Sequence, residues 1–198
     1  MKLYFAPPSP FARKIRILIA EKGLTSRFAL EPRNPFDMPA DVVAANPLSK
    51  VPTLVLDSGE VLYDSTVIAE YVDSLGGPKM IPEVGPARWS TLRWQSLADG
   101  ILEAGQSIQL ERRRPESERS PGWMQRQAST VGRGLDAAER DLDSLGSELT
   151  IGHVALGCAL GWLEFRLPDL PWRPARPKLT GWEATFSARA SMQATRPT

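Results

Sequence analysis

Apolar positions in the first third of the chain change period several times, and each change marks an element. Lys2 to Phe5 is a short apolar run that predicts a strand. Pro7, Pro8 and Pro10 hold the next segment extended. Pro10 suits a first helical position, with Ser9 before it as N-cap. Phe11, Ile15, Leu18 and Ile19 then fall at helical spacing, so a helix to about Lys22 should bury that face and turn Arg13, Lys14 and Arg16 the other way. Gly23 suits the left-handed residue that closes a helix. Arg27 to Leu30 predicts a second strand, 32–39 a loop and 40–45 a short polar helix. Thr53 to Leu56 and Val61 to Tyr63 flank a turn at 57–60 and predict a hairpin. Asp64-Ser65-Thr66 supplies acceptors at the start of a helix, whose expected buried face is Val67, Ile68, Tyr71, Val72 and Leu75. The order is βαβαββα within about 75 residues.

Beyond residue 76 the strand pattern stops. Residues 77–86 are rich in Gly and Pro and read as a linker. Long helices are expected at 87–110, with Trp89, Leu92, Leu97 and Ile101 towards a core, and at 123–145. Ile151 to Leu163 carries no charged residue unless His153 is protonated, which predicts a buried helix. Its Gly152, Gly157 and Gly161 allow neighbouring helices to approach closely. Lys178 to Ala190 predicts a last helix. The expected organisation is therefore α/β plus all-α: a domain at 1–76, a linker at 77–86 and an all-helical domain at 87–198.

Composition narrows the function. The chain has 198 residues, with 24 Lys and Arg against 23 Asp and Glu. That balance gives no global reason to expect nucleic acid or an anionic membrane as partner. No run of 18 or more apolar residues exists, so no membrane span is expected. The apolar start meets Pro7-Pro8 too soon for a signal-peptide core, and a cytoplasmic location is expected. One cysteine, Cys158, excludes a disulfide framework, and with one histidine no metal site is expected.

The stretch Asn46 to Leu54, NPLSKVPTL, carries the chemistry. Pro47 ends the polar helix, and Val51-Pro52 leads into a strand, where proline is tolerated. An X-Pro bond there can also be cis. A cis bond would turn the Val51 N–H and C=O outward, where an extended peptide-like ligand could pair with them as an added strand.

Four segments together resemble the cytosolic glutathione S-transferase superfamily: SPFARKIRI at 9–17, NPLSKVPTL at 46–54, YDSTVIAEYVD at 63–73 and LTIGHVALGCAL at 149–160. The nearest likeness is to small bacterial members with a serine in the first loop. The resemblance implies a thioredoxin-like N-terminal domain, an all-helical C-terminal domain and a homodimer. It implies glutathione as co-substrate, with no metal, and a small hydrophobic electrophile as its partner, a detoxification chemistry. The cysteinyl backbone of glutathione would pair with Val51 beside Pro52. Its γ-glutamyl end would meet Asp64 and Ser65, and its glycyl carboxylate Lys50, with Asn34 as a second candidate. Ser9 would favour the thiolate, while Tyr4 is a competing hydroxyl. Ser9 is equally open to reading as a helix cap; Asp64 and Ser65 could also cap their helix, but the resemblance favours binding. Peroxidase and dehalogenase activities use the same thiolate. The alternative function is a non-catalytic binding or transcription-associated protein of the same fold. The family's core helix opens with a Ser/Thr cap and an Asp three residues on; here Thr150 is followed by His153, so His153→Asp is expected to add about 1 kcal/mol of stability.

Overall fold

A computed structural model describes residues 1–198. The chain forms two compact units, Met1–Glu83 together with Ala190–Thr198, and Val84–Arg189. In the first unit β1 (Lys2–Phe5) leads to α1 (Pro10–Glu21), β2 (Ala29–Pro32), α2 (Ala40–Ala45), β3 (Thr53–Val55), β4 (Val61–Leu62) and α3 (Ser65–Ser74). The strands lie in the order β2-β1-β3-β4. β2 runs parallel to β1, β3 antiparallel to β1, and β4 antiparallel to β3. Leu3 and Leu54 from the sheet, Ile15 and Leu18 from α1, and Ile68 and Val72 from α3 are all fully buried. Their removal from water is the main force holding the two helices to the sheet.

Two helix faces differ from the sequence expectation. Arg13 and Lys14 are buried, because α1 packs both on α3 and on a later helix and so has little free circumference. On α3 the buried residues are Ser65, Ile68, Ala69, Val72 and Asp73, while Val67 is exposed. A step of one residue turns a helix by about 100°, which carries Val67 off the face that Ile68 shares with Val72.

The segment expected to be linker also differs. Lys22 Nζ donates to Asp73 Oδ1 at 2.8 Å and to the Pro78 carbonyl at 2.6 Å. Asp73 in turn accepts from the Met80 and Ile81 N–H groups at 2.8 and 3.3 Å. Met80 and Ile81 are buried. Residues 78–81 are thus tied into the first unit by a buried ion pair and two apolar side chains.

The second unit contains α4 (Gly85–Arg112), α5 (Pro121–Asp141), α6 (Ile151–Arg166) and α7 (Pro177–Phe186). α4 packs against α5 and α6. Close approach explains the small residues: a Cβ on Gly152 would lie 2.8 Å from Trp94 Cβ, and one on Gly105 2.8 Å from the Trp162 ring. Along α4 the buried stripe is Thr91, Trp94, Ala98, Ile101, Gly105 and Ile108, a steady step of three or four residues. Trp89 lies off it and is 67% exposed, contrary to the expectation that it faces the core. α6 is buried along almost its whole length, as its lack of charge predicts. No helix is long and apolar enough to cross a membrane. The chain then returns to the first unit as α8 (Ala190–Ala194), whereas the sequence suggested a last helix over 178–190 in a helical domain running to 198.

His153 corrects a further expectation. The Thr150 N–H can only donate, and it meets His153 Nδ1 at 3.2 Å. Nδ1 is therefore an acceptor, and the ring proton sits on Nε2, 3.2 Å from the Gly146 carbonyl. Neutral histidine performs the capping-box task expected of a carboxylate. Burial pushes its pKa below the usual histidine value, with the Gly146 bond opposing and the Arg189 charge assisting. An Asp at 153 would replace one acceptor, lose the Gly146 bond and place a carboxylate against Trp182 and Phe186. The gain expected for His153→Asp is withdrawn on that ground.

Candidate functional site

The sheet topology gathers the predicted residues at one end. β1 and β2 run parallel, so both leave the sheet at the same edge, β1 into Ala6–Ser9 and β2 into Arg33 and Asn34. β3 is antiparallel to β1, with Thr53 opposite Tyr4, so the Lys50–Pro52 approach lies at that edge too. β4 reverses again, with Leu62 opposite Leu54, and delivers Tyr63, Asp64 and Ser65 there. Four segments and the N-termini of α1 and α3 meet in this way.

Ser9 has extended backbone and caps α1, its Oγ accepting from the Ala12 N–H at 3.3 Å. That bond uses an oxygen lone pair and leaves the hydroxyl proton unspent. Capping and donation to a ligand are therefore compatible roles for this side chain. Tyr4 is buried within β1, with the Arg33 guanidinium 5.4 Å from its ring centre.

The Val51–Pro52 peptide is cis, as is Tyr63–Asp64. The approach to Pro52 is held by Asn46, a buried side chain that pattern reading did not single out. Asn46 Nδ2 donates to Thr53 Oγ1 at 3.0 Å and to the Lys50 carbonyl at 3.2 Å, and its Oδ1 accepts from the Leu48 N–H at 3.0 Å. Thr53 Oγ1 donates to the same Lys50 carbonyl at 2.7 Å. An Asn between a helix end and a proline is the available sequence signal, since its short amide readily bonds nearby backbone. Ser49 between them adopts φ 48°, a left-handed conformation, and its buried hydroxyl has no partner. Lys50 is exposed and Val51 half-buried.

Asp64 caps α3, Oδ1 accepting from the Thr66 N–H at 2.8 Å, and is exposed. Ser65 is largely buried at the first position of α3, and its hydroxyl makes no hydrogen bond within the protein. Asn34 caps the turn Pro35–Asp37, accepting from the Phe36 N–H at 3.2 Å.

A cavity of about 220 Å³ opens at this edge, lined by Ala6, Pro7, Pro8, Pro32, Arg33 and Asn34. Beside it the Arg33 N–H donates to the Phe5 carbonyl at 2.7 Å. The guanidinium is committed elsewhere: Nε donates to Asp41 at 2.9 Å and Nη1 to Glu31 at 3.3 Å. The bond to Asp41 holds the arginine's pKa above its usual value, and Arg33 holds the Asp41 carboxyl below its own. The cavity wall is thus proline-rich and close to neutral. No group of three or more His, Cys, Asp or Glu side chains is arranged to hold a metal ion.

Residues 8–75 match the family described as glutathione S-transferase, N-terminal domain, and residues 121–184 the corresponding C-terminal domain. An uncharacterised GST-like protein of Escherichia coli K12, YibF, is 35% identical over 100% of this chain and 98% of its own length. The chain belongs to the glutathione S-transferase superfamily. Among solved members, one from Pseudomonas fluorescens Pf-5 with bound glutathione superposes with TM-score 0.96 at 39% identity, covering 100% of this chain and 98% of that one. Another, from Methylobacterium radiotolerans JCM 2831 in complex with glutathione sulfonate, gives TM-score 0.92 at 35% identity, with 99% and 94% covered. The glutathione-transferase fold here has its thioredoxin-like sheet in the first unit and its all-helical domain in the second.

Proposed function

We propose that the protein binds glutathione at the edge where the four strand ends meet, and conjugates it to a small hydrophobic electrophile. The observation that carries this is the convergence of two helix N-termini with the Val51 main chain. Helix N-termini attract anions through unpaired N–H groups and the helix dipole. The γ-glutamyl carboxylate is assigned to the start of α3 and the Ser65 hydroxyl, and its ammonium to Asp64. The cysteinyl backbone pairs with Val51 as an added strand, and the glycyl carboxylate meets Lys50, with Asn34 at the same end.

The thiol then lies by the start of α1. A free cysteine thiol has pKa about 8.5. Donation of the Ser9 hydroxyl and the α1 dipole both favour the charged form, so its proton passes to solvent near neutral pH. The thiolate attacks an electrophilic carbon and a C–S bond forms. The leaving group departs with the electron pair of the broken bond, or, in an addition, the carbanion takes a proton from water. Positioning and charge stabilisation are the protein's share of the rate.

The test is calorimetry with glutathione on wild type, Ser65→Ala and Ser9→Ala, with thiolate absorbance read on the same samples. Wild type is expected to bind, Ser65→Ala to bind more weakly, and Ser9→Ala to bind but lose the thiolate signal. Absence of binding by wild type at millimolar glutathione would refute the reading and leave the non-catalytic alternative.

A further inference from the structure

α1 carries a buried cation that the glutathione site does not use. Arg13 closes the first turn, its N–H donating to the Ser9 carbonyl at 2.9 Å. Its side chain runs away from that turn and is only 5% exposed as a residue. Nη2 donates to the Met192 carbonyl at 3.0 Å and Nε to Thr195 Oγ1 at 3.4 Å. The Thr195 hydroxyl donates onward to the Ser191 carbonyl at 2.8 Å. At the far end of α1, the Ser191 hydroxyl donates to Glu21. Met192 is buried beside them. The returning segment thus grips α1 near both of its ends, about eight residues or 12 Å apart.

We propose that residues 190–198 form a clamp that sets the position of the α1 N-terminus, and that Arg13 is a positioning residue for the Ser9 hydroxyl. This rests on the thiolate role of Ser9 given above. The Ser9 side chain is oriented by the Ala12 N–H, and its backbone by its own N–H donating to the Ala6 carbonyl at 2.9 Å and by Arg13. Two of these bonds, those from the Ala12 and Arg13 N–H groups, belong to the first turn, so whatever fixes that turn bears directly on the direction of the hydroxyl. A donor must be held to within about 0.5 Å and 10–20° to keep its value at a reacting atom. Arginine suits the task because one planar fork bonds two acceptors at once, which an ammonium on a flexible stem does not reproduce.

The test compares wild type with Arg13→Lys, which keeps the charge and loses the fork, and Arg13→Met, which loses both. Three quantities are read: the pKa of the bound glutathione thiol from thiolate absorbance against pH, the affinity for S-methylglutathione, which has no thiol, and hydrogen exchange at the Ala12 and Arg13 amides. Arg13→Lys is expected to raise the thiol pKa by about 0.5–1, a three- to ten-fold change in its ionisation constant. S-methylglutathione affinity should stay within about two-fold, and exchange at the first turn should quicken. Should either arginine variant fail to fold, Thr195→Val removes one bond from the tail side and should shift the thiol pKa the same way by less. A thiol pKa in Arg13→Lys equal to wild type, with a shift only in Arg13→Met, assigns the effect to charge and overturns the clamp. So does a wild-type thiolate signal that no variant moves. A wild type with no thiolate signal at saturating glutathione fails before any variant is compared. That result overturns the Ser9 reading and the clamp's catalytic role with it.

Discussion

Replacing Lys22 with Met should unfasten the start of the linker from the first unit. Methionine keeps much of the lysine stem's length and packing, so the change isolates the ammonium. The Lys22 and Asp73 side chains are 0% and 4% exposed, and their atoms lie 2.8 Å apart. Breaking a buried pair by removing one partner costs about 3–5 kcal/mol, because the other charge stays buried without its counter-ion. Asp73 keeps two donors, the Met80 and Ile81 N–H groups, which places the loss near the lower limit, at about 3 kcal/mol. In a chain of this size that corresponds to a fall of roughly 6–12 °C in Tm. Lys22→Met/Asp73→Leu should not recover the loss, although hydrophobic replacement of buried pairs often does so. Here it would leave the Met80 and Ile81 N–H groups without an acceptor. Urea denaturation followed by tryptophan fluorescence and far-UV circular dichroism supplies both free energies. A loss below about 1 kcal/mol in Lys22→Met, the range of exposed pairs, would show that the ion pair is not what fastens this segment.

Ser49→Gly should raise stability by about 0.5–1 kcal/mol: a left-handed residue with a Cβ costs about 1–2 kcal/mol, offset in part by the greater freedom of glycine in the unfolded chain. An unchanged or lower denaturation midpoint would refute it. His153 titrates below its usual value because the folded state favours the neutral ring. The unfolded chain then binds the proton more readily, so the contribution of His153 is complete above about pH 6.5 and declines as pH falls below it towards the folded pKa. His153→Gln keeps an acceptor for Thr150 and does not titrate. Stability measured from pH 5 to 8 should therefore run parallel for the two proteins at the upper end and tilt in favour of the variant at the lower; parallel curves throughout would refute the argument.

The elements of the first unit were legible because each carries a local cause. Proline at a helix start, Gly23 at its end with φ 68°, and apolar runs of strand length all act within a few residues. Helix faces were less legible, since the partner of a face is remote in sequence. Nothing around Arg13 announces that Met192 and Thr195 will accept from it, and nothing around Trp89 shows that Trp94 will take the core position opposite Gly152. The same limit applies at the candidate site. Ser9 and Asp64 were readable as caps from their neighbours, whereas the edge they share with Asn34 follows from strand directions. Asn46 lay within the stretch that drew attention, but its buried bonds to Lys50 and Thr53 depend on a loop geometry that spacing does not give.

The return of Ala190–Thr198 to the first unit makes that unit discontinuous in the chain, with Val84–Arg189 lying between its pieces. During synthesis at about 5–20 residues per second, α1 must wait on the order of 8–34 s for the segment that grips it. The sheet, α3 and the Lys22–Asp73 pair can form before then, but the bonds from Arg13 cannot. Nascent chains halted at Arg189 should therefore exchange the amides of α1 faster than chains carried through to Thr198, while those of β1 and β3 exchange alike.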